Sequence, residues 1–203
     1  MLVEGRVGII SASTGSPSPL RLGTDGALIV SQGGGKYTDA AINGRLFMAS
    51  TAAAVACSTT LNNTFTGFAL VNPSGSGKIA IVHEFSWALE DSPTPDTNLS
   101  LAIGPAHSGF ASAVTTRCAR YNYATAVCFC DTGATITGAD GAIVKHIATL
   151  GTNLTTDLLT NTPPVDLGGS IILDPGRAVY TDSKLATGTV LWFAFMWEEV
   201  VVP

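Results

Sequence analysis

The stretch Thr189-Val-Leu-Trp-Phe-Ala-Phe-Met-Trp-Glu-Glu-Val-Val-Val-Pro203 decides the fold. From Val190 to Trp197 every residue is apolar, and most are aromatic or β-branched. Successive side chains of a strand point to opposite faces, so an unbroken apolar run predicts a strand that is covered on both sides. A membrane-spanning helix needs about 20 apolar residues, which is more than this run provides. We therefore predict a central strand with a second sheet on one face and another element or a neighbouring subunit on the other.

Alternate side chains of this strand belong to two faces. One face carries Leu191, Phe193, Phe195 and Trp197, and the other carries Val190, Trp192, Ala194 and Met196. Burying a large apolar side chain contributes about 1.5–3 kcal/mol to stability. We expect the core or subunit contact to depend on four aromatic side chains, those of Trp192, Phe193, Phe195 and Trp197.

The composition indicates one domain with a surface that is poor in charge. The chain has 203 residues, of which only 12% are charged, against roughly 25% in a typical domain. This shortage predicts that surface is buried against copies of the chain or against another protein. The net charge of −5, without a Lys/Arg cluster, argues against nucleic acid as a partner. Met1-Leu-Val-Glu-Gly5 lacks the regions of a signal peptide, so we expect cytoplasmic synthesis and no membrane partner.

Residues 1–45 are predicted to form an extended N-terminal arm, and residues 46–203 a β-sandwich domain. Ser11–Pro19 is rich in Ser and Pro, which favours an extended backbone. A short strand is predicted over Ala27–Ser31, and Tyr37–Phe47 fits either an extended segment or a short helix. We expect the arm to dock on the body or on a neighbouring molecule.

Short apolar segments alternate with turn residues along the body of the chain, which indicates an all-β fold. Thr64–Asn72 and Lys78–Leu89 flank a Gly/Ser loop and are predicted to form a hairpin-like pair. Ser170–Leu173 and Arg177–Thr181 flank Asp174-Pro-Gly176, where Pro and Gly suit a type II turn, and they give the clearest predicted hairpin. Because no βαβ alternation appears, we predict a jelly-roll-like β-sandwich of about eight to ten strands.

No sequence motif identifies a catalytic or cofactor site. Ser74-Gly-Ser-Gly-Lys78 invites comparison with a phosphate-binding loop, but Asn72 and Ile79 stand where that motif needs Gly and Ser or Thr. Glu198 and Glu199 face opposite ways in a strand, so one should cap the core while the other faces solvent or a subunit. The histidines are scattered, which favours packing or hydrogen bonding over catalysis for His83, His107 and His146.

The cysteines are predicted to be small buried apolar residues: Cys57, Cys118, Cys128 and Cys130. Cys128 and Cys130 share one face of a predicted strand. Their CxC spacing lacks the Cys-x-x-Cys pair and the nearby ligands that are typical of zinc sites. A metal site or a disulfide is the less favoured alternative, and we predict no metal and no cofactor.

The order of several segments resembles that in a group of tailed-bacteriophage structural proteins. These proteins pair an Asn-Pro-x-Gly-Ser-Gly-Lys hairpin, here within Thr66–Lys78, with a C-terminal Trp-Glu-Glu strand, here Trp197–Val200. Three further segments complete the likeness, which extends over most of the chain: Leu22–Gln32, Gly35–Phe47 and Ile172–Tyr180. The chain is more distantly similar to jelly-roll modules of virion surfaces, including head-decoration proteins and fibre tips. The resemblance implies a virion component that assembles as a symmetric oligomer, and it carries over no catalytic residue.

Three functions from different classes follow as hypotheses. The first is a non-enzymatic capsid decoration protein on the virion head, a homotrimer that binds the major capsid protein through its arm by strand addition. The alternative is a receptor-binding or fibre-tip module that recognises host glycans through Arg117, Arg120, Tyr121 and Tyr123. An enzyme is the least favoured of the three hypotheses, because no nucleophile–base or metal constellation is visible in the sequence.

Overall fold

The computed structural model describes residues 35–57, 64–93, 96–107, 109–110, 114–121, 123–135, 141–151 and 163–202. The chain divides into two compact units, Met1–Thr38 and Asp39–Pro203. Of the first unit only residues 35–38 are described, so the predicted extended segment Ser11–Pro19 and the predicted strand Ala27–Ser31 lie outside the described residues. The arm boundary at residue 45 therefore stays a prediction. Within the described ranges, no helix has the length and hydropathy needed to cross a bilayer.

The described chain is built almost entirely from strands. Its one helix there, α1, is Thr38–Ile42, so Tyr37–Phe47 contains a short helix followed by the start of a strand. The strands within the described ranges are β1 (Leu46–Ser50), β2 (Val55–Ala56), β3 (Thr64–Asn72), β4 (Lys78–Leu89), β5 (Thr97–Pro105), β6 (Thr116–Cys118), β7 (Phe129–Thr135), β8 (Ala142–Leu150), β9 (Val165–Leu173), β10 (Arg177–Ser183) and β11 (Thr189–Val201).

Two antiparallel sheets pack face to face. Sheet 1 has the order β6-β1-β11-β4-β9, with β2 pairing the start of β11, and sheet 2 has the order β7-β3-β10-β5-β8. When the short strands β2 and β6 and the outer strand β7 are set aside, eight strands remain. Numbered along the chain, they run 1-8-3-6 in one sheet and 2-7-4-5 in the other. This order is that of a jelly roll, so the predicted fold class is confirmed.

Aromatic rings from both sheets form the centre of the core. Phe68 of sheet 2 stacks on Phe193 and Phe195 of sheet 1, with ring centroids 6.1 and 5.3 Å apart. Phe85 packs beside the same two rings at 5.8 and 5.0 Å. Trp197 is fully buried next to them. The inward side of β11 therefore forms much of the contact between the sheets.

Both predicted hairpins are wrong, although their turns are correctly placed. β3 lies in sheet 2 and β4 in sheet 1, and β9 and β10 are likewise divided between the sheets. The turn before β10 has the expected form: the Arg177 amide donates to the Asp174 carbonyl at 3.1 Å, and Gly176 has a φ of 83°. Turn residues show where a chain reverses, but they do not show whether it stays in one sheet. Here both turns cross between the sheets.

Asn72 joins these two crossing turns. Its side-chain amide is buried and donates to the carbonyls of Lys78 and Leu173, each at 2.8 Å. Its backbone carbonyl accepts a hydrogen bond from Gly176 at 2.9 Å. Asn72, the last residue of β3 in sheet 2, thus satisfies carbonyl groups at the ends of two strands of sheet 1, which holds the two crossings together at this end of the sandwich.

The outer faces of the two sheets differ in how they are covered. The outer face of sheet 2 carries a second, smaller core, which consists of Phe65, Ala69, Val71, Ala102, Phe110, Ala178 and Tyr180. The outer face of sheet 1 keeps large apolar side chains at the surface, with Met48 exposed by 42% and Ile172 by 55%. That exposed face is the first candidate for function.

Candidate functional site

The outer face of sheet 1 is apolar across four neighbouring strands. Directly paired residues of adjacent strands point to the same side of a sheet, so the register identifies the members of this face. Its apolar and small members are Met48, Ser50, Ile81, Ser86, Ile172, Trp192, Ala194 and Met196. All are exposed or half-buried, in contrast to the alternate residues of β11, which are buried. The alternation of side chains along β11 therefore places one set of residues in the core and the other set on a large apolar surface.

A bulge in β4 adds charged groups to this face. Val82 and Phe85 are both fully buried, so the two residues between them, His83 and Glu84, both point outward. The register with β11 shifts at the same place. An extra residue in one strand has this effect, since two residues then oppose one partner. In a regular strand only one of these two adjacent residues would point outward. The bulge places both the imidazole of His83 and the carboxylate of Glu84 on the outer face.

Glu198 organises a charged group at one end of the outer face. Its carboxylate oxygens lie 2.8 Å from the Arg45 guanidinium and 3.4 Å from His83 Nε2. Arg45 also contacts Asp39 at 2.7 Å. The Glu198 side chain is 15% exposed, and its charge is balanced by an arginine that always carries a proton. This group is therefore arranged to neutralise a partly buried carboxylate.

Glu199 points the other way and lies at the end of the core, as the alternation of strand residues requires. It is 3% exposed, and its carboxylate accepts hydrogen bonds from the amides of Val127 and Cys128 at 2.9–3.1 Å. Trp197 Nε1 also donates to it at 3.3 Å. A buried carboxylate is stable only when such donors satisfy it. Glu199 thereby holds the segment before β7 against β11.

That segment forms one wall of a cleft that includes predicted glycan-site residues. The cleft has a volume of about 580 Å³ and is lined by Arg117, Tyr121 and Tyr123 together with residues 114–116, 118, 124–126, 128 and 129. Tyr121 is 78% exposed and Tyr123 is 55% exposed. The structure therefore brings three of the four predicted glycan-site residues to one concave surface.

Arg120, the fourth, fixes the ring of Tyr123. Its guanidinium lies 3.9 Å from the Tyr123 ring centroid and donates to the Ile42 carbonyl at 2.8 Å. The ring also packs against Gly44, where an added Cβ would overlap it and where φ is 67°. Tyr123 is thus held by a cation and a glycine, while Tyr121 presents its ring to solvent.

The four aromatic residues predicted to carry the core or subunit contact divide between the faces of β11. Phe193, Phe195 and Trp197 are at most 2% exposed and belong to the core between the sheets. Trp192 is half-buried on the outer face of sheet 1. The first three are therefore core residues, and Trp192 is placed where a subunit contact would need it.

One nucleophile–base pair was missed in the sequence. Ser100 Oγ lies 2.9 Å from His146 Nδ1, and Asn98 Nδ2 donates to the same hydroxyl at 2.9 Å. Ser100 is fully buried, so a substrate carbonyl could not approach its oxygen in this conformation. The pairing depends on the register of β5 with β8, which local sequence patterns do not reveal.

The cysteines lie mostly in the core, and none of them forms a disulfide. Cys57, Cys128 and Cys130 are buried, and Cys118 is half-buried. Burial raises the pKa of the Cys57 thiol to about 11, and burial together with the Glu199 charge raises the pKa of Cys128. Burial also raises the pKa of Cys130. The described residues contain no group of three or more His, Cys, Asp or Glu side chains that could hold a metal ion.

Comparisons with protein-family models, with curated proteins and with solved structures give no match for this chain.

Proposed function

We propose that the protein is a non-enzymatic structural component of a tailed-bacteriophage virion, a decoration protein that stabilises the head as a symmetric oligomer. The observation that carries the proposal is the apolar outer face of sheet 1, where Met48 and Ile172 are exposed and Trp192 and Met196 are half-buried. Contiguous apolar surfaces of this kind typically mark interaction sites. The jelly-roll fold and the low share of charged residues, 12%, support the same assignment.

The mechanism is burial of apolar area between proteins of the capsid surface. Each Å² of apolar surface removed from water contributes about 25 cal/mol, so an interface of ordinary size opposes separation of the subunits it joins. The N-terminal arm, residues 1–45, binds the major capsid protein by strand addition, in which backbone hydrogen bonds supply affinity. The outer face holds copies of the chain together, and the arm attaches them to the head.

Co-sedimentation with phage heads tests this function. The full chain should sediment with empty heads, and a variant that lacks residues 1–26 should stay folded and oligomeric but remain in the supernatant. Circular dichroism and light scattering on the truncated variant provide the control for folding and assembly. Unchanged head binding after the deletion would contradict the role of the arm, and no binding by the full chain would contradict the decoration function.

The cleft beside β6 favours a second candidate function, the recognition of host glycans by a receptor-binding module. An exposed aromatic ring such as Tyr121 can stack on the apolar face of a sugar, and Arg117 can donate to hydroxyl or carboxylate oxygens. A glycan array read with the wild type and with Tyr121→Ala tests it. Binding that is lost in Tyr121→Ala and kept in Trp192→Ala supports the site, whereas an array without hits excludes the glycans tested.

A further inference from the structure

We infer that the outer face of sheet 1 is covered by the same face of a second copy, across a two-fold axis that runs along β11. This inference rests on the proposed function only in taking that face as an assembly surface. It names the partner as another molecule of the same chain, and it specifies the direction in which the two faces meet.

The inference starts from one row of residues that crosses all five strands in the path of sheet 1. Register pairs join Arg117 to Met48, Met48 to Met196, Met196 to Glu84, and Glu84 to Asp166. Directly paired residues share a face, so all five side chains start from the outer side of the sheet. Arg117, Met48 and Asp166 are exposed, and Met196 and Glu84 are half-buried. The row is positive at one end, apolar in the middle and negative at the other end.

Such a row is complementary to itself in one orientation only. Neighbouring strands lie about 4.8 Å apart, so Arg117 and Asp166 are separated by roughly 19 Å, with Met196 midway. A two-fold axis along β11 places Met196 on Met196 of the second copy, Arg117 opposite Asp166, and Met48 opposite Glu84, which then lies one strand away from Arg117 of the second copy. An axis across the strands would instead place Arg117 on Arg117 and Asp166 on Asp166. The charges therefore select the axis along β11.

The neighbouring rows are compatible with close approach of two sheets. Ser50, Ala194 and Ser86 form a row of small side chains beside Met196, and Trp192 follows on β11. Stacked sheets lie about 10 Å apart with strands within about 30° of each other, which such side chains permit. Glu198 also lies near the axis, but Arg45 neutralises it within its own copy at 2.8 Å. Glu198 therefore adds no unbalanced charge at the axis, and Glu84, one strand from the axis, lies beside Arg117 of the second copy.

Light scattering over a dilution series measures the assembly directly. The wild type should show twice the chain mass of 20.8 kDa at high concentration. Met196→Glu places a charge at the axis and should give the mass of a single chain. Val144→Glu is the control: it places the same charge on an apolar side chain outside the outer face of sheet 1, at a 49% exposed position on the edge strand β8 of sheet 2, and should leave the dimer intact. Thermal melting of each variant shows whether it is folded.

A wild-type mass of one or three chains would overturn the inference, and so would a dimer that Met196→Glu leaves unchanged. A folded Met196→Glu monomer beside a dimeric control supports it. The dimer and the decoration function can fail independently of each other. A dimer that ignores phage heads keeps the pairing and removes the decoration role, and a monomer that binds heads does the reverse.

Charge reversal tests the axis. Arg117→Glu and Asp166→Arg each create like charges across the interface, so each should raise the dimer dissociation constant about tenfold. The double variant Arg117→Glu/Asp166→Arg restores opposite charges in a second copy of itself and should recover most of the wild-type affinity. A double variant no tighter than either single variant would overturn the orientation along β11, because an axis across the strands predicts no recovery.

Discussion

The two sheets of this sandwich share one core, yet their outer faces are covered to different extents. The centre of the outer face of sheet 2 is covered by its own chain, since Phe65, Phe110 and Tyr180 are at most 7% exposed and pack together, while Ile143 on the edge strand β8 stays 42% exposed. The outer face of sheet 1 leaves Met48 and Ile172 at the surface. Among the described residues, the chain covers the centre of one outer face itself and leaves large apolar side chains exposed on the other. This difference, rather than composition alone, is the reason for proposing an external contact at sheet 1.

The largest expected effect is a loss of stability that differs between the inner and outer sides of β11. Trp197→Ala removes a fully buried indole that packs 6.1 Å from the Phe47 ring, and it should lower the free energy of unfolding by about 3–5 kcal/mol. Trp192→Ala on the outer face is the matched control and should lower it by less than about 1 kcal/mol in the single chain. Urea denaturation at a concentration where the chain is monomeric measures both values.

Equal losses of unfolding free energy in the two tryptophan variants would contradict the difference between the inner and outer sides of β11. They would mean that the outer side of β11 is as tightly packed within one chain as the inner side. A small loss from Trp197→Ala would instead contradict its role in the core.

A smaller effect is expected at the covered face of sheet 2. A Cβ at Gly104 would overlap the Tyr180 hydroxyl and lie 3.1 Å from the Gly141 Cα, so Gly104→Ala should lower stability by about 1–3 kcal/mol. Tyr180→Phe removes the overlapping oxygen. In the double variant the loss should therefore be smaller than the sum of the two single losses, as measured by thermal or urea unfolding. Strict additivity would show that the tyrosine does not close this face as described.

The smallest effect concerns the thiols of the core. Burial raises the Cys57 pKa from 9.0 to about 11, so folded and unfolded chains both hold a neutral thiol below pH 9. Between pH 9 and 11 the unfolded chain loses this proton and the folded chain keeps it, so stability should fall as pH rises through that window. Cys57→Ala should reduce the fall.

Alkylation rates give an independent check on the same thiol. The folded chain should hold about 100-fold less Cys57 thiolate than the unfolded chain below pH 9. Native protein should therefore be modified first at half-buried Cys118 and only slowly at Cys57, as peptide mass mapping would show. Rapid native modification of Cys57 would contradict its placement in the core.

Strand positions and strand faces were predictable from the sequence because they follow local periodicity. The alternation of β11 separated Phe193, Phe195 and Trp197 from Trp192, and the turn at Gly176 was recognised from its Pro-Gly pair. Strand pairing was not predictable in the same way. β3 and β4 are adjacent in the sequence but lie in different sheets, because their best partners, such as β10 and β11, are distant along the chain.

The same distinction applies to the candidate sites. Arg117, Arg120, Tyr121 and Tyr123 lie within one short segment, so a local reading could group them before the cleft was known. The row from Arg117 to Asp166 could not be read in advance, because it combines residues of five strands through their register. The bulge at His83 and Glu84 also shifts the register between β4 and β11, and neither a turn residue nor the hydrophobic period predicts that shift.

The position of β11 between β1 and β4 also governs when the protein can fold. Residue 46 pairs with residue 198, so sheet 1 is closed only after the chain has been synthesised through residue 198. Until then Phe68 and Phe85 lack the rings they stack on. Such distant pairing makes folding slow, on the order of milliseconds to seconds, and leaves apolar strands exposed in the growing chain. Fragments that stop before β11 should therefore aggregate or bind chaperones, because the rings of β11 complete the core between the two sheets.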